Sequence, residues 1–528
     1  MERDQSLPQR GAPFPTKYRR NYSRSKNGCL GCRARRKKCD ATKPNCAACI
    51  RINQACVWPN ADHEPQRIVQ SDTERNSGLQ DSPSSNPLAT EQEAWEIVSR
   101  SLNSIISLSA QTLPSPQPSL TFGHASHLSP VSRPFYQQYL DFTADMLSRG
   151  PSKDGNPFLT YILPLAASDS LIMDCVLAIG GAHLSVNNLT VRRLEVATRN
   201  HYARILAGLK TALTNQMVQD PDLVDQQGTG KAWQVLLTLL LLCVFEGIQG
   251  DTHGAVYHHI KASRQYIVSM AVASTPKAGE PEHVRGFLLE LYASLALKLA
   301  ITPRGLLQDQ PIVLDPFLRS LAFLGGYKSR GFLLGFGQRI FEIIPDIAQL
   351  VEARRLEEAR DGVNSTSLVP SYKRLLARLQ VMDPYPDDIE GLRPPQERAA
   401  ATGIYQNALI MYLHSAFHVD MLVDPELANE LEMRINTTIA LSLSLYFHSS
   451  PFRRALLWPA IQIASCCRRK DHMEGFRLAL NKDTRAGGGV KAGARVIQLL
   501  WDDPDPRAFG PRGVAFIMKK HGLSFSMC

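Results

Sequence analysis

No uninterrupted apolar run in the 528-residue chain reaches the length that crosses a bilayer as a helix. Its longest apolar run, residues 233–245 (WQVLLTLLLLCVF), falls short of the roughly twenty residues required, so a buried core helix is expected there and no membrane partner. An apolar N-terminal segment of the secretory kind is missing as well. So are the signatures of catalysis. No His-Glu-x-x-His pair, Gly-x-Ser-x-Gly elbow or Gly-Lys-Ser/Thr phosphate loop occurs, and His253, His258 and His259 have no acidic or cysteine partner at ligand spacing. These histidines are expected to be core or surface residues, glycines 487–489 a flexible connection, and the pairs Asp387/Asp388 and Asp502/Asp503 parts of turns. No enzyme is expected. Alternating strand patterns and a strand–helix–strand rhythm are absent, as is a long acidic–hydrophobic tail.

A net excess of basic charge is missing from most of the chain. The whole carries +10, yet residues 1–59 hold 14 Lys plus Arg against 3 Asp plus Glu, so residues 60–528 come to −1. A polyanion-binding surface is therefore expected at one end only. Cysteine is confined in the same way: of 11 in all, only Cys175, Cys243, Cys466, Cys467 and Cys528 lie beyond residue 56. Scattered and mostly in apolar stretches, these read as buried free thiols in a reducing compartment.

The other six stand in residues 29–56, CLGCRARRKKCDATKPNCAACIRINQAC, as C-x2-C-x6-C twice over. Pairs of thiolates two residues apart can turn back onto one tetrahedral zinc. A single site using Cys29, Cys32, Cys46 and Cys49 would strand Cys39 and Cys56, although both occupy the same offset in their halves. Two tetrahedral zincs need eight ligand positions, and six thiolates supply eight if two of them bridge. Six thiolates and two Zn²⁺ leave a formal −2, so nearby Lys and Arg help to keep the sulfurs deprotonated. The basic run of residues 33–38 fills the gap of the first half only.

This segment resembles the fungal binuclear zinc cluster regulators of transcription, down to Pro44 in the loop and Asp40 after the third cysteine. The resemblance implies that Cys29 and Cys46 bridge two zinc ions while Cys32, Cys39, Cys49 and Cys56 are terminal ligands. It further implies that a short helix after Cys32 enters the major groove at a CGG-type triplet, with Arg36, and beside it Arg35, at the base-reading position. Arg paired to guanine O6 and N7 is a common specific contact. Arg33, Lys37, Lys38, Lys43 and Arg51 suit phosphates or packing on the cluster.

Around this module, residues 1–28 read as a disordered basic leader, 29–58 as the zinc-cluster DNA-binding domain and 59–130 as a polar linker. Within the linker, residues 91–109 place Trp95, Val98, Leu102 and Ile105 at helical spacing, a candidate dimerisation helix. From 131 to 528 the pattern is helical. Helices are expected over 135–142, 169–185, 194–213, 232–248, 255–272, 284–299, 335–360, 396–417, 426–447, 456–467 and 490–501, with residues 351–361 a solvated, ion-paired face. Stretches 156–185, 331–350, 408–417 and 456–465 are similar to the fungal-specific transcription factor domain, with a departure at 257–262 where that family carries a Trp and a Gly. The fold expected is a small zinc-cluster module of short helices and loops, a flexible linker and a large all-α regulatory domain. The function expected is a nuclear, zinc-dependent, sequence-specific regulator in the RNA polymerase II pathway. Double-stranded DNA is the expected partner, and a homodimer and a small-molecule effector are candidates. The alternative is a zinc-folded protein–protein scaffold with a ligand-sensing helical domain.

Overall fold

A computed structural model describes residues 29, 32, 39–42, 46–51 and 56 of the cysteine-rich segment. It also describes 128–149, 155–187, 192–218, 232–273, 281–303, 312–362, 365–383, 394–447, 450–482 and 487–527. The leader, the linker helix at 91–109, Cys528 and the Asp387/Asp388 pair lie outside these residues. The chain divides into two units, residues Met1–Ser85 and Asn86–Cys528. Among the described residues the second is helical throughout and contains no strand.

Among the described residues of the first unit, Cys32 is helical and one helix can be given bounds, α1 (Ala47–Ile50). In the second, α2 runs from Arg133–Gln138 through a π turn, Tyr139–Thr143, into Ala144–Leu147. Then come α3 (Pro157–Thr160), α4 (Ile162–Ser168), α5 (Ser170–Asn187), α6 (Arg192–Val218), α7 (Ala232–Gln249), α8 (Ala255–Val272) and α9 (Glu282–Ala300). The second half holds α10 (Gln338–Glu342), α11 (Ile344–Asp361), α12 (Val369–Gln380), α13 (Pro395–Phe417) and α14 (Pro425–Phe447). It closes with α15 (Leu457–Ala464), α16 (Lys470–Lys482), α17 (Gly488–Asp502) and α18 (Gly510–Lys520).

The apolar run 233–245 becomes α7, whose residues from Val235 to Phe245 are buried on every side, as a helix apolar all round must be. It packs on α5, α8 and α9 and on the start of α17. By length and composition it could span a bilayer, but 72% of it is buried within the unit. Local chemistry sets the starts. Asp169 accepts the Leu171 amide (2.8 Å) before α5, and Asn156 accepts the Phe158 amide (3.0 Å) before α3, whose first residue is Pro157. Gly180 is required where α2 crosses α5, because a Cβ there would sit 2.1 Å from the Phe135 carbonyl oxygen.

Several expectations change. The helix read over 335–360 is broken: α10 ends at Glu342, and Pro345 stands in the first turn of α11, where its missing N–H and fixed φ suit a new start. Glycines 487–489 are not a loose connection. A Cβ on Gly488 would meet the Gln249 carbonyl oxygen at 2.4 Å, so the triglycine is where α17 begins hard against the end of α7. Residues 351–361 are only partly solvated. Arg354 and Glu357 are buried, bonded to each other at 2.5 Å, with the Ser365 carbonyl accepting from Arg354 (2.8 Å) and the Ser365 hydroxyl donating to Glu357 (2.7 Å). Helices α12, α16 and α18 were not anticipated. Each is amphipathic and buries a narrow stripe, such as Tyr372, Leu375 and Leu379 in α12, in a segment whose charged, Gly or Pro residues keep it from standing out as an apolar stretch.

An aromatic nucleus joins the second half: Phe336, Phe341, Tyr405, Phe452 and Trp458 lie with neighbouring ring centroids 5.2–5.9 Å apart. Trp458 also donates its Nε1 proton to the Ile301 carbonyl (3.0 Å), which ties α15 to the end of α9. Polar groups inside are similarly occupied. Glu290, fully buried on α9, uses Oε1 to accept the amides of Gly331, Leu333 and Leu334 at 2.9–3.0 Å and so folds the turn before α10 onto the core. Its Oε2 has no bonding partner, and burial raises the carboxyl to about 7 despite the three amides.

Because the folded pKa lies above the unfolded one, the folded state binds the extra proton, and this contribution is complete below about 4.5 and lost as pH rises through 7. From the shift, the loss is on the order of 3 kcal/mol. Urea unfolding across pH 4.5–7.5 should show stability falling with pH in the wild type, and a flatter profile in Glu290→Gln.

Candidate metal centre

Among the described residues of the first unit the buried ones are Cys29, Cys32, Cys46 and Cys49, with Cys39 and Cys56 half-buried against them. The sulfur separations are 3.7 Å for Cys29–Cys46 and Cys29–Cys49, 3.5 Å for Cys32–Cys46 and 4.0 Å for Cys32–Cys49. A disulfide needs roughly 2.0 Å, so none of these pairs is bonded. Around one zinc with Zn–S bonds of about 2.3 Å, tetrahedral geometry puts neighbouring sulfurs roughly 3.8 Å apart. The Cys29–Cys46, Cys29–Cys49 and Cys32–Cys46 spacings are those of ligands sharing a metal.

Two sets of four sulfurs form, each lying within 4.8 Å: Cys29, Cys32, Cys39, Cys46 and Cys29, Cys46, Cys49, Cys56. They have Cys29 and Cys46 in common. Six thiolates thus present two complete tetrahedral donor sets, and the donor chemistry fits two zinc ions. Among the described residues no other group of His, Cys, Asp or Glu gathers in this way, and His253, His258 and His259 are exposed or half-buried along and before α8.

Backbone amides hold the sulfurs in place. Cys32 N–H donates to Cys29 Sγ (3.3 Å), Cys46 N–H to Cys56 Sγ (3.3 Å) and Ala41 N–H to Cys39 Sγ (3.4 Å), contacts that favour thiolates over thiols. Ala41 adopts φ +60, a left-handed turn that swings the chain from the third cysteine toward the second half. Asp40 fixes that turn. Its Oδ2 accepts the Thr42 hydroxyl (2.7 Å) and the Ala47 amide (3.1 Å) at the first residue of α1, and these bonds hold its carboxyl below the usual range. The acid noted only for its position after Cys39 therefore links the two halves.

Of the expected DNA-contacting residues, Arg51 is exposed at the C-terminal end of α1. Arg33, Arg35, Arg36, Lys37, Lys38 and Lys43 lie outside the described residues. Cys175, Cys243, Cys466 and Cys467 are buried thiols outside any disulfide, as expected, and burial pushes the Cys466 thiol up to about 12. One constellation went unseen in the sequence because its members are far apart. Ser132 Oγ lies 3.0 Å from His201 Nε2, and His201 Nδ1 lies 2.7 Å from Asp174 Oδ1. The order is that of a hydrolase relay, but Ser132 is only 7% exposed, shares its hydroxyl with Ser129 (2.8 Å), and Asp174 is also held by Arg204 (2.6 Å). The chain of bonds pins the start of α2 to α5 and α6.

A small unit built on a shared-sulfur metal centre, followed by a large unit that is helical among its described residues, defines the class: a zinc-cluster protein with a helical body. The fungal specific transcription factor domain model matches residues 134–512, and the fungal Zn(2)-Cys(6) binuclear cluster domain model matches residues 27–65. The chain belongs to this family of fungal zinc-cluster transcription factors. Relatives include the transcription factor lfc1 of Flammulina velutipes, 40% identical over 80 residues, 15% of this chain and 25% of that protein. The transcriptional activator protein UGA3 of Saccharomyces cerevisiae is 24% identical over 252 residues, 43% of this chain and 42% of that one. The lysine biosynthesis regulatory protein LYS14 of the same yeast is 55% identical over 40 residues, 8% and 5% of the two chains. The chain thus spans less than half the length of each of these relatives. No solved structure matches it.

Removing Cys29 takes a donor from both sulfur sets, whereas removing Cys39 takes one from a single set. In chelator challenge with a metallochromic dye, Cys29→Ala should release both zinc ions in one fast phase, and Cys39→Ala one fast and one slow. Identical release from the two variants would contradict the shared-ligand geometry.

Proposed function

We propose that the chain is a nuclear, zinc-dependent, sequence-specific DNA-binding regulator of RNA polymerase II transcription that reads CGG-type triplets in the major groove. The observation that carries this reading is the coincidence, within residues 1–59, of the shared-sulfur metal centre and the whole basic excess of the chain. In this reading Cys29 and Cys46 bridge the two metals and Cys32, Cys39, Cys49 and Cys56 are terminal ligands. Arg36, with Arg35, contacts base edges, and Arg33, Lys37, Lys38, Lys43 and Arg51 neutralise phosphates or pack on the cluster. Residues 1–28 serve as a basic leader, 29–58 as the DNA-binding domain, 59–130 as a linker with a dimerisation helix at 91–109, and 131–528 as the regulatory domain. That domain answers a small-molecule effector and supports a homodimer. Family membership favours regulation over catalysis, and the occluded Ser132–His201–Asp174 relay fits the same side.

Binding-site selection with the zinc-loaded full chain at fixed salt should enrich CGG-type triplets. Affinity should fall steeply with salt, because each neutralised phosphate releases counterions. Arg36→Ala should cost about 1–3 kcal/mol of discrimination at one base pair. Selection without enrichment, from a chain that holds its zinc, would overturn the reading and favour a zinc-folded protein scaffold.

A further inference from the structure

A groove of about 670 Å³ opens on the helical unit between the end of α9, the outer face of α11, the end of α13 and α18. Its floor is apolar, with Leu314, Pro345, Val351 and Phe516 among its walls. Arg319, Arg354, Arg355, Arg512 and Lys519 line it together with Glu352 and Glu358. Asp346 pairs with Arg319 and Glu357 with Arg354 at its edge, so five cations face four carboxylates and one positive charge is left over.

The cations differ in how far they are engaged. Arg354 is buried and bound by Glu357 (2.5 Å) and Glu358 (3.1 Å). Arg355 pairs with Glu352 (2.8 Å). Arg512 gives Nη2 to Glu358 Oε1 (2.5 Å) and to the Ala416 carbonyl (2.8 Å) at the end of α13. Lys519 is exposed and has no partner among the described residues. A second cavity, of about 420 Å³, shares Phe516 and Lys519 with the groove. There too the neighbouring cations are taken: Arg507 pairs with Asp505 (2.7 Å) and Lys520 with Asp503 (2.6 Å). Lys519, between the two hollows, remains open to an incoming charge.

A concave surface with apolar walls and an unpaired cation at its rim suits a small counter-ion that also carries apolar area. We infer that the groove binds a small organic anion, a carboxylate with an apolar body, its charge at Lys519 and Arg512 and its body over Phe516, Leu314 and Val351. The inference rests on the effector reading of the helical domain proposed above and names the chemistry and place of the effector. Arg512 gives the site a route to the fold, because the same guanidinium holds Glu358 of α11 and the last turn of α13. A carboxylate that draws on Arg512 therefore acts at the junction of α11, α13 and α18.

Isothermal titration calorimetry of the zinc-loaded full chain tests this with octanoate and 3-phenylpropionate, against acetate for charge without a body and octanamide for a body without charge. Saturable binding of one octanoate or 3-phenylpropionate per chain is expected, with both controls at least about tenfold weaker. Lys519→Glu, at an exposed and unpartnered position, should weaken octanoate by about tenfold or more. Ala515→Trp should fill the groove and abolish binding. The inference is overturned if neither carboxylate binds, if octanamide binds as well as octanoate, or if Ala515→Trp changes nothing. Because the titration contains no DNA, a chain that selects its DNA site but ignores both carboxylates overturns the groove alone. One that binds octanoate through Lys519 yet selects no DNA supports the groove and overturns the proposed function.

Discussion

Sharing of two thiolates is the constraint on which the N-terminal unit depends. So few residues cannot bury enough apolar surface to offset the entropy of ordering a chain, and here the buried described side chains are cysteines. Metal–sulfur bonding has to supply what a hydrophobic core supplies elsewhere. Six donors serve two tetrahedral centres only if two are common to both, which forces the two C-x2-C-x6-C halves together face to face. The placement of Cys29 and Cys46 in both sulfur sets, the turn at Ala41 and the Asp40 bonds to Thr42 and Ala47 all follow from that closure.

The helical unit solves a different problem. Its apolar supply is ample, and α7 can be buried on all sides because α5, α8, α9 and α17 surround it. The difficulty lies in the polar groups enclosed with it. Glu290 is engaged by three amides, the Arg354–Glu357 pair by Ser365, and His201 by Ser132 and Asp174. The Glu290 and His201 groups close junctions between elements far apart in sequence, and the Arg354–Glu357 pair holds the chain that follows α11. Close approaches at Gly180 and Gly488 set where helices can meet, so specificity of packing rests on absent side chains as much as on present ones.

What the sequence made legible follows from how local each signal is. The metal centre is carried by spacing within 28 residues, so its ligands, their number and the need for sharing could be read directly. The long helices rich in apolar residues, α5, α7, α8, α13 and α14, appear within two residues of expectation, and the α8 bounds coincide. Non-local chemistry was hidden. Nothing near residue 354 announces that Arg354 will be buried with Glu357, and the triglycine at 487–489 gives no sign of the Gln249 carbonyl against which it packs. Pro345 was a legible break that the surrounding apolar run obscured. Asp40 was visible by position, but its work as a tie between the halves needed the Ala47 amide in view.

The most direct test of the shared-sulfur centre is native mass spectrometry of the full chain, with parallel iodoacetamide alkylation of the zinc-loaded protein. Two zinc ions per chain, with all six cysteines from Cys29 to Cys56 protected until a chelator is added, is the result this geometry predicts. One zinc per chain, with Cys39 and Cys56 alkylated while Cys29, Cys32, Cys46 and Cys49 stay protected, would mean a single four-sulfur site and would contradict it.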